Sequence, residues 1–228
     1  MDIVKSTLQV VQARIMFAAQ KAERIANTVS LLAVSKKQSV ESVRALAQLG
    51  QRAFGESYVQ EGVAKIQALQ DLALEWHFIG LIQRNKTAQI AGCFDWVHSV
   101  DRLVIAQRLS VERSAMAVPL NVCLQVNVSN EATKSGVSLS EVAALASAVA
   151  ELPNLRLRGL MAIPRAEVDI TKQRAQFALM RHCFDELNHM GLQLDTLSMG
   201  MSTDLEAAIA EGATIVRVGT ALFGTRKG

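Results

Sequence analysis

"LLAVSKKQSVESVRALAQLG", residues 31–50, holds one complete strand–helix unit. Leu31 to Ser35 suit a buried strand, and residues 39–50 carry a helical pattern with Ser39 as cap and Gly50 as stop. Between them stand Lys36 and Lys37. An ammonium without a partner is costly to bury, so two lysines at the end of an apolar strand mark either its exit into solvent or a site of chemistry.

The same unit recurs along the chain. Further strands are read at 52–54, 76–80, 96–100, 120–128, 155–163, 196–200 and 214–219. Helical patterns precede each strand: 2–27, 39–50, 60–74, 84–93, 101–116, 138–152, 172–190 and 202–212. Alternating strands and helices imply parallel pairing through right-handed crossovers. Eight units favour a single (β/α)8 TIM barrel with an extra N-terminal helix, near the short end for that fold. An open doubly wound sheet is the alternative that pattern alone leaves open. No linker or composition shift divides residues 1–228, which read as one domain.

Composition narrows the function. Of 228 residues, 50% are hydrophobic and 20% charged, which supplies a large core and argues against disorder. Net charge is +3 and aromatics are 4%, so nucleic acid is not an expected partner. The N-terminus is broken by Lys5, Gln9, Gln12 and Arg14, and no apolar stretch is long enough for a bilayer. No membrane partner is expected. Cys93, Cys123 and Cys183 are scattered and odd in number, which suits a reduced cytoplasmic protein, and they suggest no metal site.

In a barrel, reactive groups project from the C-terminal ends of the strands. "SMGMSTDLEAAI" (198–209) places Gly200 and Ser202 between a strand and a helix, with Thr203 and Glu206 in the spacing of a capping box. "RVGTALFG" (217–224) puts Gly219 and Thr220 after the last strand. Either cluster alone is ordinary loop chemistry. Together they occupy the two loops where barrels commonly bind phosphate. Asp204 and Glu206 must then point away from the anion. Strand alternation sets Lys36 on the face of Leu32 and Val34, and Lys37 on the other. Two roles for the inward lysine stand side by side: a Schiff base with an aldehyde, or simple neutralisation of an anion. His77, His98 and Asp101 read as structural, Arg156, Arg158 and Arg165 as solvated charge, and the thiols as buried.

The blocks "LLAVSK", "FGESYVQE", "WHFIGLIQRNK", "LQVNVSNEATKSG", "LRGLMAIP", "LSMGMSTDLEAAI" and "VRVGTALFG" together resemble the pyridoxal 5′-phosphate homeostasis protein family of the YggS/PROSC type. They run in family order over nearly the whole chain. The resemblance implies a barrel similar to the N-terminal domain of alanine racemase, of fold type III. It implies pyridoxal 5′-phosphate as cofactor, held as a Schiff base on Lys36. It further implies Ser202, Gly219 and Thr220 at the phosphate, with the amide of Val218 helping, and Arg217 facing the pyridine nitrogen. Met199 and Met201, which flank Gly200, are expected to pack near the ring. Ser57 stands where the family motif FGENY has asparagine near the cofactor. The implied function is buffering and delivery of the cofactor, with cofactor-dependent apo-enzymes as recipients and a monomer or weak dimer as the form. No catalytic residue is assigned. The competing expectation is a slow amino-acid racemase, with Tyr58, the one tyrosine, in the place of a second proton-transfer group.

Overall fold

The computed structural model describes residues 2–129, 131 and 134–224. Positions 130, 132 and 133 of the "LQVNVSNEATKSG" block and the tail 225–228 lie outside them. The strands are β1 (Ser30–Val34), β2 (Ala53–Glu56), β3 (Glu75–Phe78), β4 (Trp96–Val100), β5 (Leu120–Val126), β6 (Leu155–Ala162), β7 (Thr196–Ser198) and β8 (Ile215–Val218). All pair in parallel with their sequence neighbours. β8 returns to β1, Leu32 opposite Arg217 and Ala33 opposite Val218, and closes the barrel. Closure decides against the open doubly wound sheet.

The helices are α1 (Asp2–Lys21), α2 (Val40–Gln48), α3 (Val59–Ala68), α4 (Thr87–Cys93), α5 (Leu103–Arg113), α6 (Val142–Ala150), α7 (Ile170–His189), α8 (Leu205–Ala210) and α9 (Thr220–Phe223). Ser39 caps α2 as its sequence predicts, its hydroxyl accepting from the Ser42 N–H at 3.2 Å. Gly50 follows at φ +98°, the left-handed stop glycine favours. The helix read over 2–27 ends at Lys21. Glu23 turns left-handed at φ 55°, and Arg24 leaves the helix to donate to the carbonyls of Ile209 and Ala213 at 2.9 and 2.8 Å. α3 likewise stops at Ala68, short of 74.

Two cores share the barrel wall. Outward-facing strand residues meet the helices: Phe54 and Phe78 are fully buried there with Leu46 of α2, Ile90 of α4 and Phe94 at the end of α4, the Phe78 and Phe94 rings lying edge-to-face at 5.3 Å. Each such side chain contributes on the order of 1.5–3 kcal/mol through burial. Inward-facing residues fill the lumen, where Trp96, Cys123 and Met161 form a separate apolar cluster. The lumen is also polar. His98 of β4 reaches Ser198 of β7 across it at 2.8 Å.

Candidate functional site

Two adjoining cavities lie at the C-terminal ends of the strands. One, of about 250 Å³, is lined by Lys36, Ile79, Met201, Ser202, Arg217, Gly219 and Thr220 among others. The other, of about 430 Å³, is lined by Lys36, Ser57, Tyr58, Gln60, Gln83 and Lys86 among others. Lys36 and Ile79 belong to both, so Lys36 stands at the junction.

β1 ends at Val34, and a tight turn carries the next residues, with Gln38 N–H donating to Ser35 O at 3.0 Å. Lys36 follows the inward parity of Leu32 and Val34. Lys37 is exposed and sits left-handed at φ 61°. Alternation therefore separates the two lysines as expected.

The turn is fixed from behind by groups the sequence did not announce. Glu56 at the end of β2 is fully buried, and Lys65 of α3 is nearly so. The Lys65 ammonium donates to Glu56 Oε1 at 2.8 Å, Glu61 Oε1 at 2.6 Å and the Ser35 carbonyl at 2.6 Å. The Ser35 hydroxyl donates to Glu56 Oε1 at 2.6 Å, and the Lys37 N–H to Glu61 Oε1 at 2.5 Å. Both neighbours of Lys36 are thus bonded to one buried ionic cluster. Burial pushes the Glu56 carboxyl above its ordinary value, while bonds from Lys65 and Ser35 pull it down.

On the neighbouring strand β8, Arg217 is buried beneath the smaller cavity. Its Nη1 donates to the Ser198 carbonyl at 2.5 Å and hydroxyl at 2.9 Å, and its Nη2 to the Ala162 carbonyl at 2.8 Å. Burial lowers its pKa to about 10, so it stays cationic at neutral pH. Ser202, Gly219 and Thr220 complete this wall. A Cβ at Gly219 would lie 3.2 Å from the Val34 carbonyl, so glycine lets the end of β8 lie close to β1.

The capping box expected at Thr203 and Glu206 is not formed. α8 starts at Leu205, with Asp204 at the cap position and no side-chain capping bond. Glu206 instead pairs with Arg14 of α1 at 2.8 and 3.0 Å. The Asp204 carboxylate accepts from the Met201 N–H at 2.6 Å. Both acids that could have repelled an anion are thereby engaged. Arg14 also donates to the Ser202 carbonyl at 3.0 Å, and the Thr7 hydroxyl to the Leu222 carbonyl at 3.0 Å. The N-terminal helix braces both loops, and only spatial proximity reveals it.

Not every sequence-read residue joins the cavities. Met199 is fully buried in the outer core, because Ser198 before it points into the lumen. Met201, two residues on, lines the smaller cavity. The Val218 side chain also faces the outer core, so only its backbone is available to a ligand. Ser57 lies in the larger cavity, on the far side of Lys36 from Ser202. Its carbonyl passes so close to Gly80 that a Cβ there would sit 2.1 Å away. Tyr58 lines the larger cavity and is half exposed.

The family described as alanine racemase, N-terminal domain, matches residues 10–227. A pyridoxal phosphate homeostasis protein of Pseudomonas aeruginosa is 58% identical over 99% of this chain and 97% of that protein. The solved structure of PipY from Synechococcus elongatus, with PLP bound, superposes at a TM-score of 0.82 with 37% identity, over 94% of this chain and 100% of that one. An alanine racemase of Clostridium difficile in complex with cycloserine shares the fold at a TM-score of 0.80 and 14% identity; this chain spans 61% of its length. A lysine at the junction of two cavities, with a buried arginine on the adjacent strand and two hydroxyl-bearing loops beside it, is thus the local setting in a chain that belongs to the pyridoxal phosphate homeostasis protein family, on the alanine racemase N-terminal domain fold.

Proposed function

We propose that this protein binds pyridoxal 5′-phosphate and serves to buffer and deliver it, rather than to turn over a substrate. The observation that carries the reading is the meeting of Lys36, Arg217, Ser202, Gly219 and Thr220 on one cavity. The donor set fits the group: an amine for the aldehyde, hydroxyls for the phosphate, and a cation for the ring nitrogen. Lys36 would hold the aldehyde as a Schiff base, and Ser202, Thr220, Gly219 and the Val218 amide would hold the phosphate. When bound, the cofactor supplies an electron sink for carbanions at an amino acid's α-carbon.

Arg217 weakens that sink. An arginine donates hydrogen bonds and gives up no proton, so the nitrogen it faces stays unprotonated and the ring draws electrons poorly. Restrained chemistry suits storage and transfer. Recipients would be apo-enzymes that need the cofactor. The free cysteines, and the absence among the described residues of a helix long and apolar enough to cross a membrane, support a reducing cytoplasmic setting.

Borohydride reduction of loaded protein, followed by peptide mass spectrometry, is the direct test; a preparation that takes up no vitamin even in excess would end the reading. A slow racemase is the second reading, favoured by Tyr58 beside Lys36 in the larger cavity. Incubation with L-alanine and other L-amino acids separates the two, since turnover at ordinary enzyme rates would reject a carrier.

Two variants examine the phosphate wall. Ser202→Ala with Thr220→Ala removes two hydroxyl contacts, each worth roughly 0.5–1.5 kcal/mol, and more to a charged partner. Affinity for pyridoxal phosphate should fall by about tenfold or more, with that for pyridoxal nearly unchanged. Equal losses in equilibrium titrations would move the phosphate elsewhere. Arg14→Leu frees the Ser202 loop without touching the cavity. The expected result is a smaller loss of the same kind, about two- to fivefold.

A further inference from the structure

A single line of hydrogen bonds crosses the lumen from the cofactor end of the barrel to the other. Arg217 Nη1 donates to the Ser198 hydroxyl at 2.9 Å. Ser198 Oγ lies 2.8 Å from His98 Nδ1, His98 Nε2 lies 2.8 Å from His77 Nδ1, and His77 Nε2 lies 2.7 Å from Glu75 Oε1. His77, His98 and Ser198 are buried, whereas the Glu75 side chain is 51% exposed. It stands at the N-terminal mouth, in a cavity of about 470 Å³ shared with Trp96, Arg158 and Asp195.

The carboxylate end, with one proton on each imidazole, fixes the direction of every bond. An ionised carboxylate only accepts, so His77 donates from Nε2 to Glu75 and accepts at Nδ1. His98 therefore carries its proton on Nε2 and accepts at Nδ1 from the Ser198 hydroxyl, whose oxygen in turn receives from Arg217, which only donates. Each atom in the line is satisfied with one proton per imidazole. Two further facts agree. Burial, with His77 and Arg217 nearby, drives the His98 pKa well below its ordinary value. The His77 bond, foremost, holds the Glu75 carboxyl below its own.

We propose that Glu75 is a positioning residue for Arg217, acting through His77, His98 and Ser198 from the opposite end of the barrel. Arginine passes on no proton, so the line transmits orientation and polarisation. Reversal at any ring would turn the Ser198 hydroxyl away from His98. The inference rests on the reading above only where Arg217 meets the pyridine nitrogen.

The test begins with cofactor-free protein labelled with ¹⁵N at histidine. At neutral pH both rings should show the Nε2–H tautomer, and Glu75→Ala, at a half-exposed site, should move the signals of His77 and His98 together. An Nδ1–H form at His98, or a shift confined to His77, would overturn the proposal. In loaded protein, Glu75→Ala should displace the absorption maximum of the bound chromophore and speed its dissociation by about threefold. Ser198→Ala should cancel that further effect. If the imidazoles respond together and the chromophore does not, the positioning of Arg217 is refuted while cofactor binding stands. A protein that takes up no cofactor refutes the carrier reading instead, and the imidazole signals alone then judge the line.

Discussion

Lys36→Ala is expected to reduce the borohydride-trapped adduct to background and to leave loaded protein colourless. Lys36 is half-buried in the turn after β1 and lines both cavities. It lies outside both packed cores, so the fold should survive, which circular dichroism and thermal melting check. Arg217 and the two hydroxyls of the same cavity would remain, so weak, reversible uptake of pyridoxal phosphate should persist. An adduct that survives the substitution would point to another amine. Lys37 is the obvious alternative, but it is exposed on a left-handed turn whose N–H is bonded to Glu61. Mass spectrometry of the reduced peptide distinguishes the two.

Lys65→Met should destabilise the protein by about 3–5 kcal/mol, because it leaves the Glu56 carboxylate buried without its cation. The side chains are 5% and 0% exposed, so solvent cannot replace the lost partner. The loss should depend on pH with a definite sign. The folded Glu56 carboxyl already lies above its unfolded value, and removing Lys65 raises it further. Between those two values the folded state binds more protons than the unfolded one, so stability from this group falls as pH rises. The variant's deficit should be smaller at about pH 5 than at about pH 8. Urea unfolding at both pH values measures it, and a deficit below about 1 kcal/mol, or one equal at both, contradicts the account. Adding Glu56→Leu should recover much of the loss, since a buried ion pair replaced whole is often near neutral. Lys65→Met should also lower the yield of the Lys36 adduct, because the Ser35 carbonyl loses its anchor.

Strand parity shows how far the sequence could be read. It put Lys36 and Lys37 on opposite faces, and the structure separates them, with Lys36 on the cavities and Lys37 exposed. The same rule, started from the lumen-facing Ser198, sends Met199 to the outer core, against the expectation that it packs near the ring. The capping box at Thr203 failed for a different reason: the spacing was right, but Glu206 is taken by Arg14, 192 positions away in sequence. Nothing in the local sequence marks Lys65. Its role needed α3 to lie against the end of β2.

The amino-acid sequence by itself determined the number and order of strand–helix units, the parallel barrel they imply, the lysine at the mouth and the two loops that flank it. These follow from period, parity and local turn chemistry, which act over a few residues. Tertiary structure alone decided which buried charges meet, that α1 braces the Ser202 loop, and that His77, His98, Ser198 and Arg217 form one line. Those partners come from different strands and helices, and His98 and Ser198 are 100 positions apart. Only closure of the barrel brings opposite strands within hydrogen-bond reach, and no local pattern encodes which side chains then face each other.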